Sequence, residues 1–220
     1  MDAAQLLNRI SREGLVAVLR GAFPPEAALH TAEALISAGI TTIELTTNSE
    51  QPFAAMQALK RAFEGSAVVG MGTVLDAAMA ARALDSGADF IVSPSFNHGM
   101  LAAGLSAGVL AIPGVMTPTE AVDATAAGAQ LVKVFPAGPL GLDYFRALRA
   151  PLDHIPMMAN GGTTDANVGD FIGAGAIACG VSGWLTGDGS RQAQEIMRRA
   201  RLLADIVSAA RRGSTPIQRA

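Results

Sequence analysis

Short apolar runs rich in β-branched residues recur along the chain, at 15–19, 42–46, 68–72, 90–93, 109–112, 131–135, 156–159 and 177–181. Their spacing of roughly 20 to 25 residues is the repeat of a strand, a loop, a helix and a loop. Most runs are apolar at nearly every position, which suits parallel strands covered on both faces. The stretches between them carry helix punctuation. Pro24-Pro25-Glu26 opens one helix with proline and an acid in the first turn, and Gly39 closes it. Asp76 caps 77–84, and Thr117 with Glu120 forms a capping box before 121–127. Asp165 caps 166–172, ahead of Gly173 and Gly175. A first helix over 3–12 precedes the first strand and plugs or flanks the bottom of the sheet. A long amphipathic helix covers 191–211.

Eight such units predict an α/β fold, a single-domain (β/α)8 TIM barrel with an extra N-terminal helix. The domain spans 1–211, with 212–220 as a flexible tail. The alternative is an open doubly wound sheet, which usually has fewer strands at this length.

Composition narrows the function without choosing it. Of 220 residues, half are hydrophobic and 16% are charged, enough for one large core and too apolar for global disorder. A net charge of −3 offers no basic face, so a nucleic-acid partner is not expected. Cys179 is the single cysteine and sits among apolar neighbours, where an inert core thiol is the better reading than a nucleophile. The early acid Asp2 and the lack of a basic segment ahead of an apolar one argue against a signal peptide. No apolar run is long enough to span a bilayer, so a cytoplasmic protein is expected. His30, His98 and His154 read as surface residues. No P-loop, dinucleotide fingerprint or metal triad is present, so no cofactor and no metal are expected.

The chemistry-bearing residues fall at the C-terminal ends of the strands, where barrels of this kind place their sites. Lys133 lies inside the apolar run Leu131-Val132-Lys133-Val134-Phe135-Pro136. Burial disfavours its ammonium form and supplies the free amine that a Schiff-base lysine needs. The bland alternative is an edge lysine that extends its head into water. Glu44 is an acid in another apolar strand, suited to shuttling protons; the alternative is a structural ion pair with Lys133. Gly161-Gly162 and Gly180-Val181-Ser182-Gly183 are glycine turns after strands seven and eight, where barrels often hold phosphate. Arg20, ending strand one, is placed either to bind an anion or to pair with a surface acid.

Six segments together resemble one family: Val18-Leu19-Arg20-Gly21, Ile43-Glu44-Leu45-Thr46, Gly70-Met71-Gly72-Thr73-Val74, Val92-Ser93-Pro94, Ile112-Pro113-Gly114 and Val132-Lys133-Val134-Phe135-Pro136. In this order and spacing they are similar to the 2-keto-3-deoxy-6-phosphogluconate and 2-keto-3-deoxy-6-phosphogalactonate aldolases, class I lyases built on a (β/α)8 barrel. The resemblance implies that Lys133 forms the Schiff base with the C2 keto group and that Glu44 acts as general acid/base through a water. It implies that Thr73 holds the pyruvate carboxylate, and that Gly161, Gly162, Ser182 and Gly183 receive the phosphate. Pro94 and Phe135 join the substrate-binding set. The products would be pyruvate and D-glyceraldehyde 3-phosphate, made without a metal by a protein that is commonly a homotrimer.

Two positions depart from the family pattern. Where phosphogluconate aldolases carry an arginine after the catalytic acid, in an E-V-T-L-R-type segment, this chain has Asn48 followed by Ser49, as in the phosphogalactonate branch. Arg20 then becomes the better candidate for an anionic group of the substrate. Asn160, before the glycine pair, matches neither branch, and its amide suits a hydroxyl of the sugar acid. The leading expectation is a phosphogalactonate-type aldolase. The alternatives are a phosphogluconate or 4-hydroxy-2-oxoglutarate aldolase, a phosphosugar isomerase or synthase without an imine, and a non-catalytic phosphate-binding barrel.

Overall fold

The structure is a computed structural model that describes residues 1–213. The chain begins α1 (Ala3–Glu13), β1 (Leu15–Leu19), α2 (Pro25–Ser37), β2 (Thr42–Thr46), α3 (Pro52–Ala62) and β3 (Val68–Gly72). It continues α4 (Ala77–Asp85), β4 (Phe90–Val92), α5 (His98–Ser106), β5 (Leu110–Ile112), β6 (Gly114–Val115) and α6 (Pro118–Ala126). Then follow β7 (Val132–Val134), α7 (Ala137–Leu140), α8 (Leu142–Arg149), β8 (Met157–Asn160), α9 (Val168–Gly173), β9 (Ala178–Val181), α10 (Gly183–Thr186) and α11 (Ala193–Gly213).

All strand pairs are parallel, in the order β5-β4-β3-β2-β1-β9-β8-β7-β6. The two ends of that order are consecutive in the chain, so the sheet closes through Pro113. Proline has no N–H to give the ladder, so the fifth predicted run ends there as β5 and the strand resumes beyond it as β6. Its carbonyl still accepts the Lys133 N–H at 2.9 Å, while Ile112 O accepts the Ser93 N–H at 3.0 Å. One interrupted strand thus serves both neighbours. The nine segments fill eight places around a barrel, as the eight apolar runs predict.

Side chains alternate between the two faces of each strand. Outward positions such as Leu15, Ala17, Leu19, Ile43, Leu45, Val69 and Met71 pack under the helices. Inward positions Val16, Val68, Phe90, Leu110, Leu131, Met158 and Ala178 form a separate cluster with Leu6 and Ile10 of α1. The first helix therefore plugs the barrel bottom. Each of its two buried side chains contributes about 1.5–3 kcal/mol of burial. An Asp2–Gln5 capping box starts this helix.

Local corrections follow from local chemistry. The predicted capping box at Thr117 and Glu120 forms, and Asp76 caps α4. Asp165 does not cap: it is exposed in a turn, and α9 starts later, behind Asn167, whose Oδ1 accepts the Thr164 N–H at 2.9 Å. The last helix starts at Ala193 and runs through Arg212 to Gly213. Of the predicted flexible tail, 214–220 lies outside the described residues.

Candidate active site

Lys133 occupies the centre of β7 at an inward position and is 2% exposed. Glu44, inward on β2, is fully buried. Lys133 Nζ lies 3.9 Å from Glu44 Oε1, within reach of charge but beyond a hydrogen bond. Neither carboxylate oxygen of Glu44 has a hydrogen-bond partner among the described residues. Burial is the main influence on the lysine and pushes its pKa below the ordinary amine range; the Glu44 charge opposes this and Arg20 reinforces it. A buried ion pair of this kind is poor evidence of a stabilising role, because desolvation offsets much of the attraction. It does bring an amine of lowered pKa beside an acid, and both lie next to a cavity.

The sequence makes room for the pair by omission. A side chain on Gly72, paired with Thr46 across β2 and β3, would collide with the Glu44 carboxylate. A side chain on Gly180 would collide with the amide of Asn160, its register partner on β8. Asn160 is 2% exposed and its Oδ1 has no hydrogen-bond partner among the described residues. Gly161 and Gly162 follow with φ of 84° and 76°, a left-handed pair that a side chain would strain. The Thr163 hydroxyl then donates to Gly180 O at 2.5 Å and ties this turn to β9.

A cavity of about 300 Å³ opens at this end of the barrel. It is lined by Val18, Arg20, Lys133, Phe135, Pro136, Pro139, Asn160, Gly161, Gly162, Gly180 and Ser182. Eight of the residues singled out from sequence therefore share it: Arg20, Lys133, Phe135, Asn160, Gly161, Gly162, Gly180 and Ser182. Glu44 stands next to it through Lys133. Asn48 is exposed in the turn after β2, Pro94 backs onto Gly114, Thr73 follows β3, and Gly183 begins α10; these four do not line the cavity. A larger groove of about 460 Å³ runs along α11, between Met197, Leu202 and the charged Arg198, Arg201 and Asp205. It holds no buried acid–base pair.

The guanidinium of Arg20 makes no hydrogen bond or ion pair among the described residues, while its turn is firmly held. Ser49 Oγ accepts the Gly21 N–H at 3.3 Å, the Glu50 N–H reaches Gly21 O at 3.0 Å, and the Ala22 N–H reaches Asp188 O at 2.9 Å. A free cation on a braced turn is equipped to meet an anion. Sequence reasoning missed Val18, Pro136 and Pro139 as lining residues. The period-2 alternation of β1 signals Val18, since it shares a face with Val16. The His side chains are exposed at His30, His98 and His154, and burial pushes the Cys179 thiol up to about 12. Among the described residues no three His, Cys, Asp or Glu side chains come together as a metal-ligand set.

The comparisons with known proteins agree with this geometry. The family model "Aldolase: KDPG and KHG aldolase" matches residues 7–208. A curated protein of Rhizobium meliloti (strain 1021), a probable 2-dehydro-3-deoxy-6-phosphogalactonate aldolase, is 37% identical over 172 residues, 78% of this chain and 81% of that one. The 2-dehydro-3-deoxy-6-phosphogalactonate aldolase of Escherichia coli (strain K12) is 35% identical over 198 residues, 90% of this chain and 94% of its own length. A solved structure described as native KDPGal superposes with a TM-score of 0.85 at 31% identity, covering 90% of this chain and 96% of its own. A parallel barrel with a buried lysine–glutamate pair at its mouth, matched along nearly its whole described length, places this chain in the KDPG and KHG aldolase family of class I aldehyde-lyases.

Proposed function

We propose that the chain cleaves 2-keto-3-deoxy-6-phosphogalactonate to pyruvate and D-glyceraldehyde 3-phosphate. The observation that carries the reading is the Lys133–Glu44 pair at a cavity whose guanidinium, that of Arg20, is unpaired among the described residues. The neutral Lys133 amine attacks the C2 keto carbon, and loss of water from the carbinolamine leaves a protonated imine. Glu44 carries protons through these steps and takes the proton of the C4 hydroxyl as the C3–C4 bond breaks. The electron pair of that bond moves into the imine and gives an enamine, while C4 leaves as the aldehyde. Protonation at C3 and hydrolysis of the imine release pyruvate and regenerate the amine.

The remaining residues sort by chemistry. Thr73 takes the carboxylate, Phe135 walls the site, Pro94 supports it from behind Gly114, the register partner of Lys133, and Gly161, Gly162, Ser182 and Gly183 receive the phosphate, with Arg20 supplying charge to an anionic group. The galacto assignment is supported by two relatives of that description at 35–37% identity and by Asn48 in place of an arginine. Asn160 reads a substrate hydroxyl, a role supported by its burial and by an amide oxygen without a hydrogen-bond partner among the described residues. The phosphogluconate epimer is the rival substrate.

Initial rates on both C4 epimers, coupled to pyruvate detection, test this directly. A preference for the galacto epimer of tenfold or more is expected from one hydroxyl left unpaired in the wrong epimer. Equal rates would remove the galacto assignment and leave a broad sugar-acid aldolase. The reading includes a homotrimer, supported by the exposed Leu75, Leu105, Met116 and Val122 around α4 to α6; light scattering of the intact chain measures it. It also includes a cytoplasmic setting, supported by the lack of any helix among the described residues long and apolar enough to cross a membrane.

A further inference from the structure

Thr73 has a φ of 59°, one of two non-glycine residues in the left-handed region among the described residues. The conformation is unfavourable for any L-residue and more so for a β-branched one. Glycine would adopt it freely, so a threonine there is explained by what its side chain supplies. Something else must then hold the backbone in place.

Thr47 does so from the neighbouring strand end. Its N–H extends the β2–β3 ladder by one bond, to Gly72 O at 2.8 Å. Its hydroxyl then donates to Thr73 O at 2.7 Å, one residue beyond the reach of the backbone ladder. Those two carbonyls belong to the peptide planes before and after Thr73, and the orientations of these planes define its φ and ψ. A single residue thus grips both sides of the strained unit. Beyond it, the Val74 N–H is anchored to Val92 O at 3.0 Å. The strained unit directly follows Gly72, the position kept bare for the Glu44 carboxylate.

We propose that Thr47 is a positioning residue, whose hydroxyl fixes Thr73 for the carboxylate of a 2-oxo acid held at Lys133. The inference rests on the aldolase reading and assigns Thr47 to the pyruvate half of the site. It predicts a selective defect: binding of pyruvate weakens when the hydroxyl goes, and binding of the phosphorylated aldehyde does not.

Thr47→Val removes the hydroxyl and keeps the N–H and the side-chain shape; Thr47→Ala is the second route should valine disturb packing. Thr47→Ser restores the hydroxyl. In the addition direction, Thr47→Val should raise KM for pyruvate about five- to tenfold, the usual effect of one lost hydrogen bond. KM for glyceraldehyde 3-phosphate should stay within twofold, and Thr47→Ser should recover the pyruvate value. Unchanged pyruvate KM in both the valine and alanine variants would overturn the proposal. So would a parallel rise in both KM values, or a serine variant that fails to recover. Pyruvate with borohydride on the unaltered chain separates the two levels: no adduct at Lys133 would remove the aldolase reading and this inference with it, whereas an adduct with a flat Thr47 series would remove this inference alone.

Discussion

At the bottom of the barrel, inward positions meet Leu6 and Ile10, and the interior is filled by Phe90, Leu110 and Met158 without a cavity-lining polar group. At the top, the same alternation delivers Glu44, Lys133 and Asn160, with Gly72 bare beside the Glu44 carboxylate and Gly180 beside the Asn160 amide. One end spends its volume on packing. The other leaves volume open and buries three polar atoms without a partner among the described residues, both Glu44 carboxylate oxygens and Asn160 Oδ1, against one at the bottom, the Thr42 hydroxyl. Unpartnered buried polar groups are unfavourable to a fold, so the top is where stability yields to chemistry. Substitutions at the two ends should therefore separate into losses of activity and losses of stability.

The largest separation is expected at Lys133. Lys133→Ala should lower turnover by about four orders of magnitude, since no other group can supply the imine. Pyruvate and borohydride should no longer modify the chain, while far-UV circular dichroism keeps the barrel signature. Full turnover in this variant would end the Schiff-base proposal. At the opposite end, Leu6→Ala should cost about 2–5 kcal/mol, the price range of a buried leucine deletion, with kcat and KM unchanged at a temperature where the protein is folded. Thermal melting checks it, with a lowered midpoint expected. A large loss of kcat there would mean that the plug and the site are coupled.

Gly72→Ala sharpens the comparison because it adds a packing atom at the chemical end. The new methyl must displace the Glu44 carboxylate, and a shift of about 1 Å in a reacting group costs on the order of a hundredfold in rate. Melting temperature should fall less than for Leu6→Ala, since overpacking costs about 1–3 kcal/mol. Borohydride trapping with pyruvate should persist, because Lys133 is untouched. A variant with native rates would show that Glu44 works from more than one position.

Much of this division was legible in the chain and some of it was not. The apolar runs, their spacing and the glycines after the helices specify eight strand places, because strand burial and helix termination are local effects. The break at Pro113 follows from the missing N–H, yet its consequence, one strand serving both neighbours, needs the closed ring. Asp165 looked like a cap, yet the helix starts behind Asn167, whose side chain ties the preceding turn through Thr164 N–H and Gly162 O and leaves the helix without a side-chain cap. Lys133 and Glu44 stood out as charges in apolar strands. Val18 and Thr47 did not, because an ordinary valine or threonine acquires its role only from what the fold puts opposite it. The left-handed Thr73 is the extreme case: its residue type argues against the conformation it takes.

The smallest predicted effect concerns the charge balance around Lys133. Its pKa is lowered by burial first, raised by Glu44 and lowered further by Arg20. The attacking form is the neutral amine, so the rate of pyruvate trapping should rise with pH and level off below the ordinary lysine range. Removing the cation in Arg20→Met takes away an influence that favours the neutral amine. The lysine pKa then moves up, and the rising limb of the trapping profile shifts to higher pH. Glu44→Gln acts with the opposite sign, because it removes the one influence that holds the proton on, and its limb should shift to lower pH. Trapping is measured with pyruvate and borohydride at saturating pyruvate for each variant, so that weaker binding does not imitate a pKa change. Limbs that move in the same direction, or not at all, would show that Arg20 and Glu44 act on the substrate without setting the charge of the amine, and the top of the barrel would then be organised by shape more than by charge.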